Sequence, residues 1–306
     1  MKKDLLTLAD MGAADFDLLF RRALDLKKRR KQGISDRSLT GRTVGLIFEK
    51  ASTRTRISFQ AAAAQLEGTS LFISAADTQL ARDEPIEDTA RVLERYLDAL
   101  VLRTYSQKMQ EEFAETASIP VINALTDMYH PCQVLSDLMT VIEYKGDCGG
   151  LKIAWVGDGN NMANSWINAA AVLGFELVLA CPEGYVPDEE VLAAARKTAG
   201  EKIRITGDPL EAAEGADVVN TDVWASMGQE QEAEERRKVF SPYQVNRALM
   251  DSAGNDAIVM HCLPAHKGEE ITGDVFESRQ SVVWDQAENK LHMHKAILEI
   301  LIGQNA

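Results

Sequence analysis

The chain has 306 residues, enough for two ordinary cores, and its 45% apolar and 26% charged content is that of a globular protein. A net charge of −14 argues against a nucleic-acid partner, and no apolar run reaches the ~18 residues of a spanning helix, so no membrane partner is expected. The N-terminus lacks the apolar core of a signal peptide, and Cys132, Cys148, Cys181 and Cys262 form no CxxC pair, so a cytoplasmic protein without a disulfide framework or zinc site is expected.

From the N-terminus, Phe16, Leu18, Leu19, Ala23, Leu24 and Leu26 repeat at helical spacing and predict a first helix. Short apolar runs then predict strands at 44–48, 71–73, 99–102 and 121–122, with helical patterns such as Ile57, Phe59, Ala62 and Leu66 filling the intervals. The stretch from Tyr144 to Gly150 breaks this pattern and marks a junction. Beyond it, strands are expected at 153–156, 177–179, 203–205, 218–219 and 258–260, and a last helix from about Asp285 to Gly303. Alternating strands and helices imply an α/β fold with mainly parallel sheets covered by helices. The acidic run 229–235 reads as solvated surface.

Five segments carry chemistry, and a sixth invites a reading that fails. Ser52-Thr53-Arg54-Thr55-Arg56 lies between a strand and a helix, where hydroxyls, helix-start N–H groups and guanidinium forks together suit a phosphate. Singly, Ser52 is an ordinary N-cap and Arg56 an ordinary surface charge. Arg103 ends a strand, where open α/β sheets meet ligands, and His130 stands just before Pro131, which suits the first position of a helix. Taken alone, Arg103 also fits a structural ion pair and His130 a buried core histidine. Gly157 and Gly159 invite a dinucleotide reading. The third glycine of that fingerprint would fall at Met162, and the region about 20 residues on offers no ribose-binding acid, which disfavours a nicotinamide-dependent dehydrogenase. Asp222 follows a strand and precedes the turn Ser226-Met227-Gly228, and His261-Cys262-Leu263-Pro264 ends another strand, where Cys262 could be an inert thiol.

These segments, with Asp88-Thr89-Ala90-Arg91, Leu102-Arg103-Thr104-Tyr105 and His130-Pro131-Cys132-Gln133, occur in the order found in the aspartate and ornithine carbamoyltransferases, and the chain resembles that family from about residue 48 to 295. The resemblance implies metal-free and cofactor-free transfer of a carbamoyl group from carbamoyl phosphate to an amine, by direct attack. Two doubly wound domains are expected: residues 1–146, on which a C-terminal helix of about 286–306 packs back, and residues 147–285. Carbamoyl phosphate would meet Ser52, Thr53, Arg54, Thr55, Arg103, His130, Pro131, Cys132, Gln133, Cys262 and Leu263. Gln79 would be lent by a neighbouring subunit of a homotrimer with shared active sites. The motif Asp222-x-x-x-Ser226-Met227-Gly228 resembles the ornithine-binding loop, so L-ornithine would meet Asn161, Asp222, Ser226 and Met227 and leave as L-citrulline, in arginine biosynthesis. Arg103, His130, Asp222 and Cys262 would carry the chemistry, Cys262 by orienting rather than by attacking. The alternative is a sister enzyme for aspartate, putrescine or an acetylated ornithine. One departure stands out: the family's Ala-Glu-Asn-Arg reads Ala287-Glu288-Asn289-Lys290, and lysine lacks the guanidinium fork. Lys290 is nevertheless the candidate for that carbamoyl phosphate contact.

Overall fold

The computed structural model describes residues 1–75, 78, 84–225 and 232–303, and Gln79, Ser226 and Met227 lie outside them. The chain forms two compact units, Met1–Met139 with Glu288–Ala306, and Thr140–Ala287.

The first unit is built on a parallel four-stranded sheet of β1 (Thr43–Phe48), β2 (Thr69–Ser74), β3 (Ala99–Arg103) and β4 (Val121–Leu125), in the order β2-β1-β3-β4. Around it run α1 (Ala13–Lys31), α2 (Thr53–Gln65), α3 (Ile86–Leu93), α4 (Gln107–Thr116) and α5 (Pro131–Lys145). The division between the units falls within α5, a few residues before the junction expected near 146. The inner strands are continuous apolar runs because both faces are covered: β3 is buried throughout, whereas the edge strand β2 is only partly so. In α1 the buried Phe16, Leu19, Phe20, Ala23 and Leu26 form one apolar stripe, and Lys28 to Lys31 complement the negative end of the helix dipole.

The second unit carries β5 (Lys152–Val156), β6 (Glu176–Ala180), β7 (Ile203–Thr206), β8 (Val218–Thr221) and β9 (Ile258–His261), all parallel, in the order β7-β6-β5-β8-β9. Its helices are α6 (Asn161–Leu173), α7 (Glu189–Ala199), α8 (Pro209–Ala213), α9 (Ala233–Phe240), α10 (Arg247–Ser252) and α11 (Gly273–Phe276). Helix α6 is buried from Met162 to Ala170 and stops at Gly174, which adopts the left-handed conformation (φ 75°) that ends a helix without a Cβ penalty. The final helix α12 (Val283–Gly303) contributes residues from Glu288 onward to the first unit. There Asn289 Oδ1 accepts from Lys27 Nζ (2.7 Å), Glu299 accepts from Arg22 (2.7 Å), and His294 stacks on Phe59 (3.6 Å between centroids).

Both sheets reverse direction of growth once: between β1 and β3 in the first, and between β5 and β8 in the second. Loops leaving the carboxyl ends of such neighbours diverge to opposite sides and leave a crevice, the usual ligand position in open α/β sheets.

Candidate active site

At the first switch point, Ser52 caps α2, its Oγ accepting from Thr55 N (3.3 Å). Thr53, Arg54 and Thr55 form the opening of that 13-residue helix, so the positive end of its dipole coincides with the hydroxyls and Arg54. Arg56 is engaged elsewhere, its guanidinium 3.5 Å from the centroid of the Phe72 ring. Across the switch point, Arg103 is the buried last residue of β3, at a point where the pairing with β4 slips by one residue. Glu49 ties the two loops: its N–H donates to Arg103 O (2.8 Å) and its carboxylate accepts from Tyr105 N (2.9 Å).

His130 precedes α5, and its carbonyl accepts from Gln133 N (3.2 Å) and Val134 N (3.3 Å). Burial, reinforced by the charges of Lys290 and Arg103 and by His294, holds its pKa well below the usual histidine value. His130 is therefore a neutral imidazole at pH 7, suited to donate a hydrogen bond rather than to carry charge. Gln133 is fixed at both ends: its Nε2 donates to Asp137 Oδ1 (2.8 Å), and its Oε1 accepts from Lys290 Nζ (2.8 Å). Lys290 is thus a buried residue of the first unit beside Gln133. Cys132 donates its thiol to Asn123 O (3.2 Å), and burial pushes its pKa up to about 12, leaving only its backbone for a ligand. His294 was not legible as a neighbour of His130. Its Nδ1 lies 2.9 Å from Ser58 Oγ, which itself donates to Thr55 O (3.1 Å), so the imidazole supplies the proton of the first bond.

At the second switch point, Asp222 directly follows β8 and is buried. Its Oδ1 accepts from Val223 N (2.8 Å) and from the Cys262 thiol (3.1 Å), and its Oδ2 accepts from Asn160 Nδ2 (3.1 Å). None of these three partners is a cation, an arrangement compatible with a ligand ammonium beside the carboxylate. The thiol of Cys262 donates in this arrangement, which agrees with orientation rather than nucleophilic attack. Asn161 opens α6, while its neighbour Asn160 caps the helix by accepting from Met162 N (2.9 Å) and Ala163 N (3.3 Å). Asn160 escaped the sequence reading, although an asparagine immediately before a helical run is an N-cap signal.

The glycines near this turn answer to the protein's own backbone. A Cβ on Gly159 would lie 2.2 Å from Val186 C and from Pro187 N, and Gly159 N donates to Tyr185 O (2.8 Å). Beside the turn, the buried Asp158 pairs with Arg236, which also donates to Trp224 O and lies over the rings of Tyr185 and Phe240. Burial raises the Asp158 pKa to about 6, against the pull of Arg236 and with help from Asp222. Among the described residues, Asp222, His261 and Cys262 bring possible metal-ligand atoms within 4.8 Å of one another. Both ring nitrogens of His261 are already committed, Nε2 to Glu270 and Nδ1 to the Leu263 N–H, so this cluster offers no histidine lone pair to an ion.

Comparison with known proteins agrees with this two-part construction. Residues 3–143 match the carbamoyl-P binding domain, and residues 149–301 the Asp/Orn binding domain, of aspartate/ornithine carbamoyltransferase. A protein of Desulfotalea psychrophila called ornithine carbamoyltransferase is 58% identical over 303 residues, covering 99% of this chain and all of that protein. One of the same name from Geobacter sulfurreducens is 56% identical, with 99% and 100% covered. The solved ornithine carbamoyltransferase of Pyrococcus furiosus superposes with a TM-score of 0.95 at 51% identity, over 98% of this chain and 97% of that one. Full-length identity above half with proteins of that name, on the same two-unit fold, makes this an enzyme of the carbamoyl-transfer class. The chain belongs to the aspartate/ornithine carbamoyltransferase family.

Proposed function

We propose that the chain is an ornithine carbamoyltransferase, converting carbamoyl phosphate and L-ornithine to L-citrulline and phosphate. The observation that carries this reading is identity of 58% across 99% of the chain with a protein of that name. In the first unit, the start of α2 with Ser52, Thr53, Arg54 and Thr55 would bind the phosphate, and Arg103 would bridge phosphate and carbamoyl oxygen. His130 would donate to the same oxygen. Gln133, held by Lys290 and Asp137, would accept from the carbamoyl nitrogen, with Pro131 and the Cys132 backbone closing the turn.

In the second unit, Asp222 would meet an ornithine ammonium and Asn161 the α-amino-acid end, and Ser226 and Met227 would be further ornithine contacts. Cys262 would orient the attacking amine, and the Leu263 backbone would meet the carbamoyl group. An amine of this kind has a free pKa of roughly 10.4, so it must shed a proton before its nitrogen attacks the carbonyl carbon. As the C–N bond forms, negative charge collects on the oxygen, where Arg103, Thr55 and His130 donors favour the transition state over the ground state. The C–O bond to phosphate then breaks, and the released amine proton leaves with the phosphate in the net reaction. No step uses a metal or cofactor.

The same reading makes the protein a cytoplasmic homotrimer of arginine biosynthesis, with Gln79 reaching a neighbour's site. Exposed apolar side chains on the first unit, Ile57 on α2, Leu71 on the edge strand β2 and Tyr96 after α3, are consistent with a covered face. A colorimetric citrulline assay with ornithine, aspartate, putrescine and N-acetylornithine tests the reading. Carbamoylation of ornithine alone is the expected result, and activity on another acceptor but not on ornithine overturns it.

A further inference from the structure

The proposed reaction needs the Leu263 backbone in one orientation, yet Leu263 sits at φ 61°, the left-handed region that a leucine adopts only when its surroundings impose it. The structure shows what imposes it. Leu263 N–H donates to Nδ1 of His261, two residues earlier at the end of β9, at 2.9 Å. That nitrogen must therefore carry a lone pair, so the ring proton is on Nε2, which lies 3.0 Å from Glu270 Oε1. Glu270 is fully buried and is itself steadied: Oε1 accepts from His266 N (2.6 Å), and its backbone carbonyl accepts from Val245 N (2.8 Å). His261 N donates to Gln286 Oε1 (2.9 Å), fixing the backbone from which the ring projects.

We propose that His261 and Glu270 are positioning residues for carbamoyl transfer, acting through the Leu263 backbone that the ring of His261 clasps. The inference rests on the functional reading above, because only there does Leu263 face the carbamoyl group. Glu270 selects the tautomer by accepting from Nε2–H. The imidazole so oriented turns its lone pair to the Leu263 amide, and the loop from Cys262 onward follows. Cys262 lies between the two clasped residues and donates to Asp222 (3.1 Å), so the same clasp sets the thiol that orients the amine. A protonated imidazolium would present N–H to N–H at Leu263 and lose the clasp, so only the neutral ring serves.

Two substitutions in the full-length enzyme separate positioning from packing. His261→Asn places an amide oxygen near the former Nδ1 and can still accept from Leu263 N–H. His261→Gln places its amide near the former Nε2, meets Glu270 and abandons Leu263. If the clasp positions the reacting groups, kcat for citrulline formation is about tenfold or more lower in His261→Gln than in His261→Asn. The KM for carbamoyl phosphate should differ by less than about threefold between them, and thermal midpoints should be comparable. Equal kcat values, or the reverse ranking, at matched thermal midpoints overturn the proposal. Hydrogen exchange at the Leu263 amide gives a readout independent of catalysis: protection in wild type and His261→Asn but loss in His261→Gln is expected, and equal protection in all three overturns the clasp. Should both variants fail to fold, Glu270→Leu, which removes the acceptor for Nε2–H, serves: a fall in kcat at unchanged KM supports the proposal, and an unchanged kcat overturns it. A wild-type enzyme that makes no citrulline would refute the functional reading, while the exchange comparison would still judge the clasp.

Discussion

The two switch points use the same topology and opposite chemistry. In the first unit, the carboxyl ends of β1 and β3 present a helix start, Arg54 and a buried Arg103, with Lys290 and neutral histidines behind them. In the second, the ends of β5, β8 and β9 present Asp222, an asparagine cap and a thiol, with Asp158 paired to Arg236 nearby. A whole-chain charge of −14 conceals this division. The proposed pairing of an anion with one unit and an ammonium with the other is compatible with that total, because local field is set by nearby groups and not by overall charge.

The contrast is open to direct attack. Arg103→Ala in the first unit should lower kcat/KM by roughly 10²–10³-fold, the cost of removing one partner from a buried charged contact. Turnover near wild type would deny the first unit its anion site. Asp222→Ala should damage ornithine use comparably, yet calorimetric binding of carbamoyl phosphate alone should change by less than about threefold, since the lost charge is one for an ammonium. Equal collapse of both affinities would show that the division of labour is misread. A smaller effect is expected at Lys290, which reaches Gln133 rather than standing alone: Lys290→Met should cost about tenfold in kcat/KM by releasing the Gln133 amide. An unchanged value would make Lys290 a support for α12 only.

Protonation sharpens the comparison further. In the first unit, burial, with Lys27 and Lys295 nearby, lowers the His292 pKa to about 4 despite Glu288. Its folded pKa lies below the unfolded value, so its contribution to stability is present above about pH 6.5 and is lost as pH falls toward 4. In the second unit the sign is opposite. Asp158 has a folded pKa raised to about 6, so its contribution is present below about pH 3.8 and is lost as pH rises through 6. Toward acid pH, the thermal midpoint of wild type minus that of His292→Gln should therefore fall, and wild type minus Asp158→Asn should rise, each by about a few degrees. Parallel slopes would remove the distinction.

Much of this fold was legible because it is local. Inner strands covered on both faces appear as unbroken apolar runs, which is why 99–102 and 153–156 read as strands. The edge strand β2 begins at Thr69, earlier than its apolar residues, because its exposed face tolerates Thr and Ser. The segment proposed for phosphate is local in the same way: Ser52 to Thr55 occupies one helical turn. What stayed hidden is non-local. Arg236 meets Asp158 from 78 positions away, Lys290 meets Gln133 from 157, and no periodicity encodes such pairs. The His261–Glu270 contact spans only nine positions, but it depends on the loop that folds back between them. Gln79, Ser226 and Met227 lie outside the described residues, and their roles stand as proposals.

Gly159 has a consequence for how such an enzyme can diverge. Its α-carbon is pressed so closely on the chain at Val186 and Pro187 that any side chain there would displace one segment or the other. The adjoining Asn160 both caps α6 and steadies Asp222, while Asp188, just beyond the pressed segment, donates its N–H to Asn164 on the same helix (3.1 Å). Mutations at 182–188, a segment that carries none of the proposed ligand contacts, thus have a mechanical route to Asp222, the proposed partner of the acceptor's ammonium. Evolutionary drift in acceptor range can begin there, with the recognition residues themselves unaltered, and a mutagenesis library seeking new amines should vary that loop while keeping Gly159.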